Sequence, residues 1–279
     1  MELGKYGVWV SPRTVADDQL GEAAKLVEQL GFGTFWRGGS PQLPALRPIL
    51  AATDRLVAAT GILNVWNSDP VRVAADFAEL EAEFPGRVLL GIGIGHPEAT
   101  REYTKPLSAM RAFLDVLDDA ASPVPPDRRC LAALRPRMVR LSSERALGAH
   151  PYFVPAAHTR WAREQLGEAP LLAPEVACVI DPDAESGRSA ARDYARLYLA
   201  LTNYTSNLLA HGFTDEDIAN GGSDRLIDAV IPHGTADQVA SAVREHVDAG
   251  ADHVCVQPVG LSETPREQWT ALAGALGLG

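Results

Sequence analysis

The chain has 279 residues, 46% of them hydrophobic and 22% charged, the balance of a globular protein able to bury one large α/β core or two small ones. Its 25 Lys and Arg against 36 Asp and Glu leave a formal charge of −11 at pH 7, which argues against a broad nucleic-acid or anionic-membrane surface. An anionic small molecule would have to be held by local donors such as a helix N-terminus.

The opening MELGKYGVWV has no long apolar run and no cleavage pattern, so neither export nor membrane insertion is expected and the cytoplasm is the default location. Short apolar runs then alternate with helical patterns, which indicates a parallel sheet or barrel. Strands are predicted at residues 6–10, 33–36, 56–63, 87–92, 129–133, 148–153, 175–180 and 253–257. Leu20, Ala24, Val27 and Leu30 form the apolar stripe of a first helix; Val73, Phe77, Leu80 and Phe84 form that of a second. The second has Asp69 as N-cap, Pro70 in its first turn and Pro85-Gly86 as its stop. A proline-rich loop, AASPVPPDR over 120–128, precedes the fifth strand. Between strand seven and Thr235 lies a mostly helical excursion, about 181–232, with its clearest helix over 189–201. Thr235-Ala236-Asp237-Gln238 is a capping box, and residues 265–276 form a closing helix.

Eight βα units predict a (β/α)8 TIM barrel in a single domain spanning 1–279, with a doubly wound open sheet as the alternative. Cys130, Cys178 and Cys255 are far apart and set in apolar runs, as expected of buried free thiols in a reducing compartment. No HExxH motif or Cys/His cluster is present, so no dedicated metal site is expected.

In a barrel the residues just past the C-terminal ends of the strands face the active site. That rule brings forward His96 after strand four, His150 in the sixth strand region and His233 before the Thr235 helix. It sets aside His253 at the opposite end and His246 on a helix. Each of the first three has a plain alternative as a loop or hydrogen-bonding histidine. Gly91, Gly93 and Gly95 alternate without GxGxxG spacing; they either pack the barrel interior or let a planar ring or phosphate approach the backbone. Trp9, Trp36 and Trp66 sit near the ends of strands one to three and either wall a substrate pocket together with His150 or pack as core.

With these segments laid out, the chain resembles the luciferase-like superfamily, specifically its coenzyme F420-dependent oxidoreductase branch. The resemblance is carried by LVEQLGFGTFWRGGSP, TDRLVAATGILNVWNSDP, FPGRVLLGIGIGHPEA and VREHVDAGADHVCVQPV. It implies a barrel binding F420, or alternatively FMN, at the C-terminal strand ends. It implies a non-prolyl cis peptide at Gly61–Ile62 behind the cofactor ring, and backbone contacts from Ile94 and Gly95. His96 stands where sugar-phosphate dehydrogenase members carry an acidic catalytic residue, and an imidazole there could exchange a proton beside a transferred hydride. Two departures stand out. Relatives often place an acidic residue and a histidine after strand two, where this chain has Trp36-Arg37-Gly38-Gly39. In place of a glycine/serine phosphate loop after strand five it has Leu134-Arg135-Pro136, with Arg135 as the candidate phosphate ligand or a plain surface arginine. The resemblance implies hydride transfer between the deazaflavin and a small organic substrate, in a homodimer. An FMN-dependent monooxygenase and a cofactor-binding homologue without turnover are the alternatives.

Overall fold

Apolar residues alternate along the short strands, so each strand buries one side inward and the other under a helix. The computed structural model describes residues 1–100 and 103–279. Its strands are β1 (Tyr6–Val10), β2 (Thr34–Gly38), β3 (Val57–Gly61), β4 (Leu63–Asn64), β5 (Val88–Gly93) and β6 (Arg129–Leu131). They continue with β7 (Gly148–Ala149), β8 (Leu171–Leu172), β9 (Glu175–Ile180), β10 (His233–Gly234) and β11 (Val254–Pro258). The helices are α1 (Leu20–Gln29), α2 (Arg47–Ala51), α3 (Pro70–Glu83), α4 (Pro106–Asp119), α5 (Pro136–Arg145) and α6 (Ala156–Leu166). After them come α7 (Ala184–Leu199), α8 (Thr202–Ala210), α9 (Asp215–Ile218), α10 (Asp224–Val230), α11 (Ala236–Asp248) and α12 (Arg266–Leu276).

All pairings are parallel, and β1 lies between β2 and β11. The ring closes through β8 and β9, which are two halves of one strand interrupted at Ala173-Pro174, where proline has no N–H to give the ladder. Its first half takes bonds on the β7 side, Leu171 N to Leu147 O at 2.8 Å and Ala173 N to Ala149 O at 2.9 Å. Pro174 O then accepts from Cys255 N of β11 at 2.9 Å. Eight barrel strands result, as the sequence predicts. Trp36, Ala59, Leu89, Cys130, Ala173 and Cys255 fill the inside. Their neighbours Phe35, Ala58, Leu90, Leu131 and Val256 face the helices.

The local signals are realised: Asp69 accepts from Val71 N to cap α3, and Thr235 and Gln238 form a reciprocal capping box at α11. All three cysteines are free and buried. Three strands differ from the prediction. The expected 56–63 run is divided into β3 and β4 by a cis Gly61–Ile62 peptide. The expected 129–133 and 148–153 strands stop at Leu131 and Ala149, the second ahead of Pro151, which has no N–H to give, and of Phe153 at φ 55°. Helix α7 begins five residues earlier than predicted, where the Asp183 carboxylate accepts from Ser186 N. Among the described residues no helix is long and apolar enough to cross a membrane.

Candidate active site at the C-terminal mouth of the barrel

A cavity of about 880 Å³ opens over the C-terminal strand ends. Gly61 and Ile62 from strand three and Gly93, Ile94 and Gly95 from strand four form one ledge of it. The glycine alternation divides between two uses. A Cβ on Gly91 would stand 1.9 Å from Thr60 O, so that glycine serves strand packing, whereas Gly93 and Gly95 line the cavity. Gly95 also needs its φ of 64° for the turn.

His96 follows this turn and lines the cavity, half-buried. Its ring meets Tyr204 at 4.9 Å, and its Nδ1 pairs with the Asn203 side-chain amide at 3.3 Å. Burial lowers its pKa below 6.5, against a weaker opposite pull from Glu98, so the imidazole is neutral at pH 7. Both Asn203 and Tyr204 come from α8, which is fastened over the site by Glu98: its carboxylate accepts from Thr202 N at 2.9 Å and Thr202 Oγ1 at 2.6 Å. The excursion after strand seven thereby covers the mouth.

Arg135 lines the cavity at the start of α5, as expected, and two cations absent from the sequence reading join it: Arg137 and Lys105. All three are exposed, and among the described residues none forms an ion pair. Lys105 and Arg135 are the N-caps of α4 and α5, so two helix N-termini add their partial positive charge at the same place. Both are spelled as a cation before a proline, Lys105-Pro106 and Arg135-Pro136, and that shared spelling was the available signal.

His150 lines the cavity from strand six, wholly buried. Its Nδ1 bonds to Ala173 O at 2.6 Å, and burial pushes its pKa down to about 4, so the neutral ring presents Nε2 as a buried acceptor without a partner. The three tryptophans do not act together. Trp9 alone lines the cavity. Trp36 is buried one layer below, stacked on His150 at 4.1 Å, because its register partner Ala59 lies two residues short of the strand-three exit. Trp66 is carried away by the turn after β4 and instead donates from Nε1 to Ile94 O at 2.7 Å, bracing the ledge. His233 bonds locally to Ile231 O and Asp228 and lies outside the cavity.

Trp9 also explains the departure after strand two. A Cβ on Gly38 would meet its indole at 2.1 Å, and one on Gly39 would meet Pro12 at 2.5 Å. No side chain at 38 or 39 can enter the cavity from that exit, and the first one that lines it is that of Ser40. Gly38→Ala is expected to displace the indole at a cost of about 1–3 kcal/mol, read as a lower melting temperature with altered tryptophan fluorescence; an unchanged melt and spectrum would contradict the packing.

The luciferase-like monooxygenase profile matches residues 5–253. The chain belongs to that family. Among curated proteins, an F420-dependent glucose-6-phosphate dehydrogenase of Microbacterium testaceum (strain StLB037) is 31% identical over 113 residues, 36% of this chain and 33% of that protein. The match therefore spans about a third of the relative's length. Among solved structures, an F420-dependent secondary alcohol dehydrogenase in complex with an F420–acetone adduct superposes with a TM-score of 0.74 at 15% identity, covering 99% of both chains. The FMN complex of the oxygenating constituent of 3,6-diketocamphane monooxygenase from Pseudomonas putida gives 0.72 at 13% identity, covering 98% of this chain and 96% of that one. These two likenesses establish the luciferase-like barrel fold.

Proposed function

We propose that this protein is an F420-dependent oxidoreductase that moves a hydride between the deazaflavin and a small organic substrate. The observation that carries the reading is the ledge of Gly61, Ile62, Ile94 and Gly95 beside three cations, Lys105, Arg135 and Arg137, that form no ion pair among the described residues, in a chain of net charge −11. A flat ring with an anionic tail fits that pairing, and F420, with a phosphodiester and a glutamate tail, offers more separate anions than the single phosphate of FMN. The F420-dependent relative supports the same branch.

When bound, the deazaflavin supplies the redox chemistry at its C5. The protein's own contributions are positional and acid–base. Ile62 and Ile94 would lie against the ring, while Arg135, Arg137 and Lys105 would hold the anionic tail. Helix α8 would limit water, and His96 would exchange a proton with the substrate oxygen through Nε2.

Fluorescence titration with F420 and FMN in parallel tests the assignment. F420 is expected to bind more tightly, and the Arg135→Ala and Arg137→Ala variants are each expected to raise its dissociation constant about tenfold by losing a charge-assisted contact. FMN binding without F420 binding would move the chain to the FMN-dependent monooxygenase reading.

A further inference from the structure

The proposed chemistry leaves unused a group of tyrosines on the strand-six and strand-seven side of the cavity. Tyr152 follows β7, and Tyr194 and Tyr198 sit one helical turn apart on α7. Their hydroxyls form a closed triangle: Tyr152 to Tyr194 at 2.6 Å, Tyr152 to Tyr198 at 2.9 Å and Tyr194 to Tyr198 at 3.0 Å. Gln257 Oε1, from β11, lies 2.9 Å from the Tyr152 hydroxyl and 3.2 Å from that of Tyr194.

Counting protons identifies the reactive corner. Each hydroxyl donates once, so the triangle holds three protons. Five contacts share these three: Tyr194 gives its proton to Tyr152 across the 2.6 Å contact in preference to the 3.2 Å one to Gln257, and Tyr152 gives its own to the Gln257 carbonyl. The third belongs to Tyr198, whose ring lines the cavity while that of Tyr194 does not. Without a ligand this proton can only circle back into the triangle, where every oxygen already has a partner. A ligand oxygen would take it without leaving any of the three hydroxyls unpaired.

The surroundings keep this corner a donor of neutral character. Burial raises all three phenol pKa values, which keeps the hydroxyls protonated. Glu175 is itself wholly buried on β9, and burial lifts its carboxyl well above the usual carboxylate range. Among the described residues, the cations that line the cavity are Lys105, Arg135 and Arg137, at the starts of α4 and α5. Arg13 pulls the Tyr198 pKa down, but burial outweighs it, so the phenol stays a protonated donor. Positions 38 and 39 after strand two cannot supply a donor, because Trp9 and Pro12 occupy the space a side chain would need, and His150 offers only an acceptor.

We propose that Tyr198, held by Tyr152, Tyr194 and Gln257, is the hydrogen-bond donor that binds a carbonyl or hydroxyl oxygen of the substrate. The aromatic walls beside it, Trp9 and Tyr204, fit a ligand with a flat apolar body. The inference rests on this cavity being the substrate site of the proposed oxidoreductase, and it is independent of which cofactor binds there.

The test uses carbonyl-labelled [13C]acetophenone as the probe on the full chain without cofactor, read by infrared difference spectroscopy and by calorimetry. Bound probe is expected to show a carbonyl stretch at lower frequency than in alkane. Tyr198→Phe should return the stretch to the alkane value and weaken binding about 3- to 10-fold, as for one neutral hydrogen bond. Tyr152→Phe, which removes the hub, should reduce the shift as well, and Tyr6→Phe at the far end of the barrel should not change it. Absence of binding, an unshifted stretch in the wild type, or equal shifts in wild type and Tyr198→Phe would overturn the proposal. F420 titration of the same variants separates the two readings: loss of F420 binding by the wild type removes the cofactor assignment, whereas loss of the carbonyl shift alone removes only the role of Tyr198.

Discussion

Lowering the pH from 7 towards 4 is expected to strip the protein of most of its stability, because four buried histidines cannot take up protons in the folded state. His150, His158, His246 and His253 are each at most 4% exposed, and burial pushes each pKa from 6.5 down to about 4. Each ring is held by an internal bond: to Ala173 O, Leu134 O, Thr159 Oγ1, and Thr34 Oγ1 with Gly4 O, respectively. A folded pKa below the unfolded one means that the unfolded chain binds protons first. The stability is therefore fully present above about pH 6.5 and drains away as the pH falls to about 4. At 1.36 kcal/mol per unit, each histidine withdraws at most about 3 kcal/mol, and the four together are on the order of the whole stability of a domain. Glu175 works in the opposite sense. Its raised folded pKa favours the folded state below the ordinary carboxylate range, but one group does not offset four. Urea melts at half-unit steps from pH 7.5 to 4.5 should show the midpoint falling from about pH 6.5 downward. His246→Gln, which keeps a partner for Thr159 and removes one titration, should make the slope shallower. A midpoint independent of pH over that range would refute the account.

The elements that were legible in the sequence are those whose cause is local. The Asp69-Pro70 start, the Thr235–Gln238 capping box and the period-two apolar runs act within a few residues, and each appears where expected. The His96 turn was legible for the same reason: it follows an apolar strand directly, and the barrel rule places whatever follows at the mouth. Trp36 and Trp66 show where such reasoning fails. Being near a strand end does not settle whether a ring lies above or below the last layer, and two residues of register place Trp36 beneath the cavity. The tyrosine cluster was invisible because its members, Tyr152, Tyr194, Tyr198 and Gln257, are up to 105 positions apart and meet only once the ring of strands has closed. The Tyr194/Tyr198 spacing of one helical turn was the sole sequence trace of it. Lys105 and Arg137 were missed for a related reason. An exposed cation acquires meaning only when the surroundings leave it without a carboxylate, and that is a property of the folded surface.

His96→Ala is expected to slow turnover by about 10²- to 10⁴-fold, the usual worth of a positioned acid–base group, while leaving the dissociation constant of F420 nearly unchanged. The separation follows from geometry. The ring lines the cavity beyond the Ile94–Gly95 ledge, and its fixed contacts are Asn203 and Tyr204 from α8. Its loss therefore removes the proton carrier and spares the cofactor ledge and the three cations. The pH profile distinguishes this role from a structural one. With a pKa held below 6.5 by burial, the neutral imidazole is ready to accept the proton of an alcohol at pH 7, so the rate of deazaflavin reduction should be flat above pH 6.5 and fall on the acid side. Asn203→Asp places a carboxylate at 3.3 Å from Nδ1 if the geometry is kept. An adjacent negative charge favours imidazolium, so the acid limb should move to higher pH in that variant. A ring that merely packs against Tyr204 would give no such displacement, and His96→Phe would then restore the rate lost in His96→Ala. Full turnover by His96→Ala, followed by the loss of absorbance of oxidised F420 with an alcohol that the wild type oxidises, would remove the histidine from the chemistry and leave Tyr198 as the hydroxyl group facing the substrate oxygen.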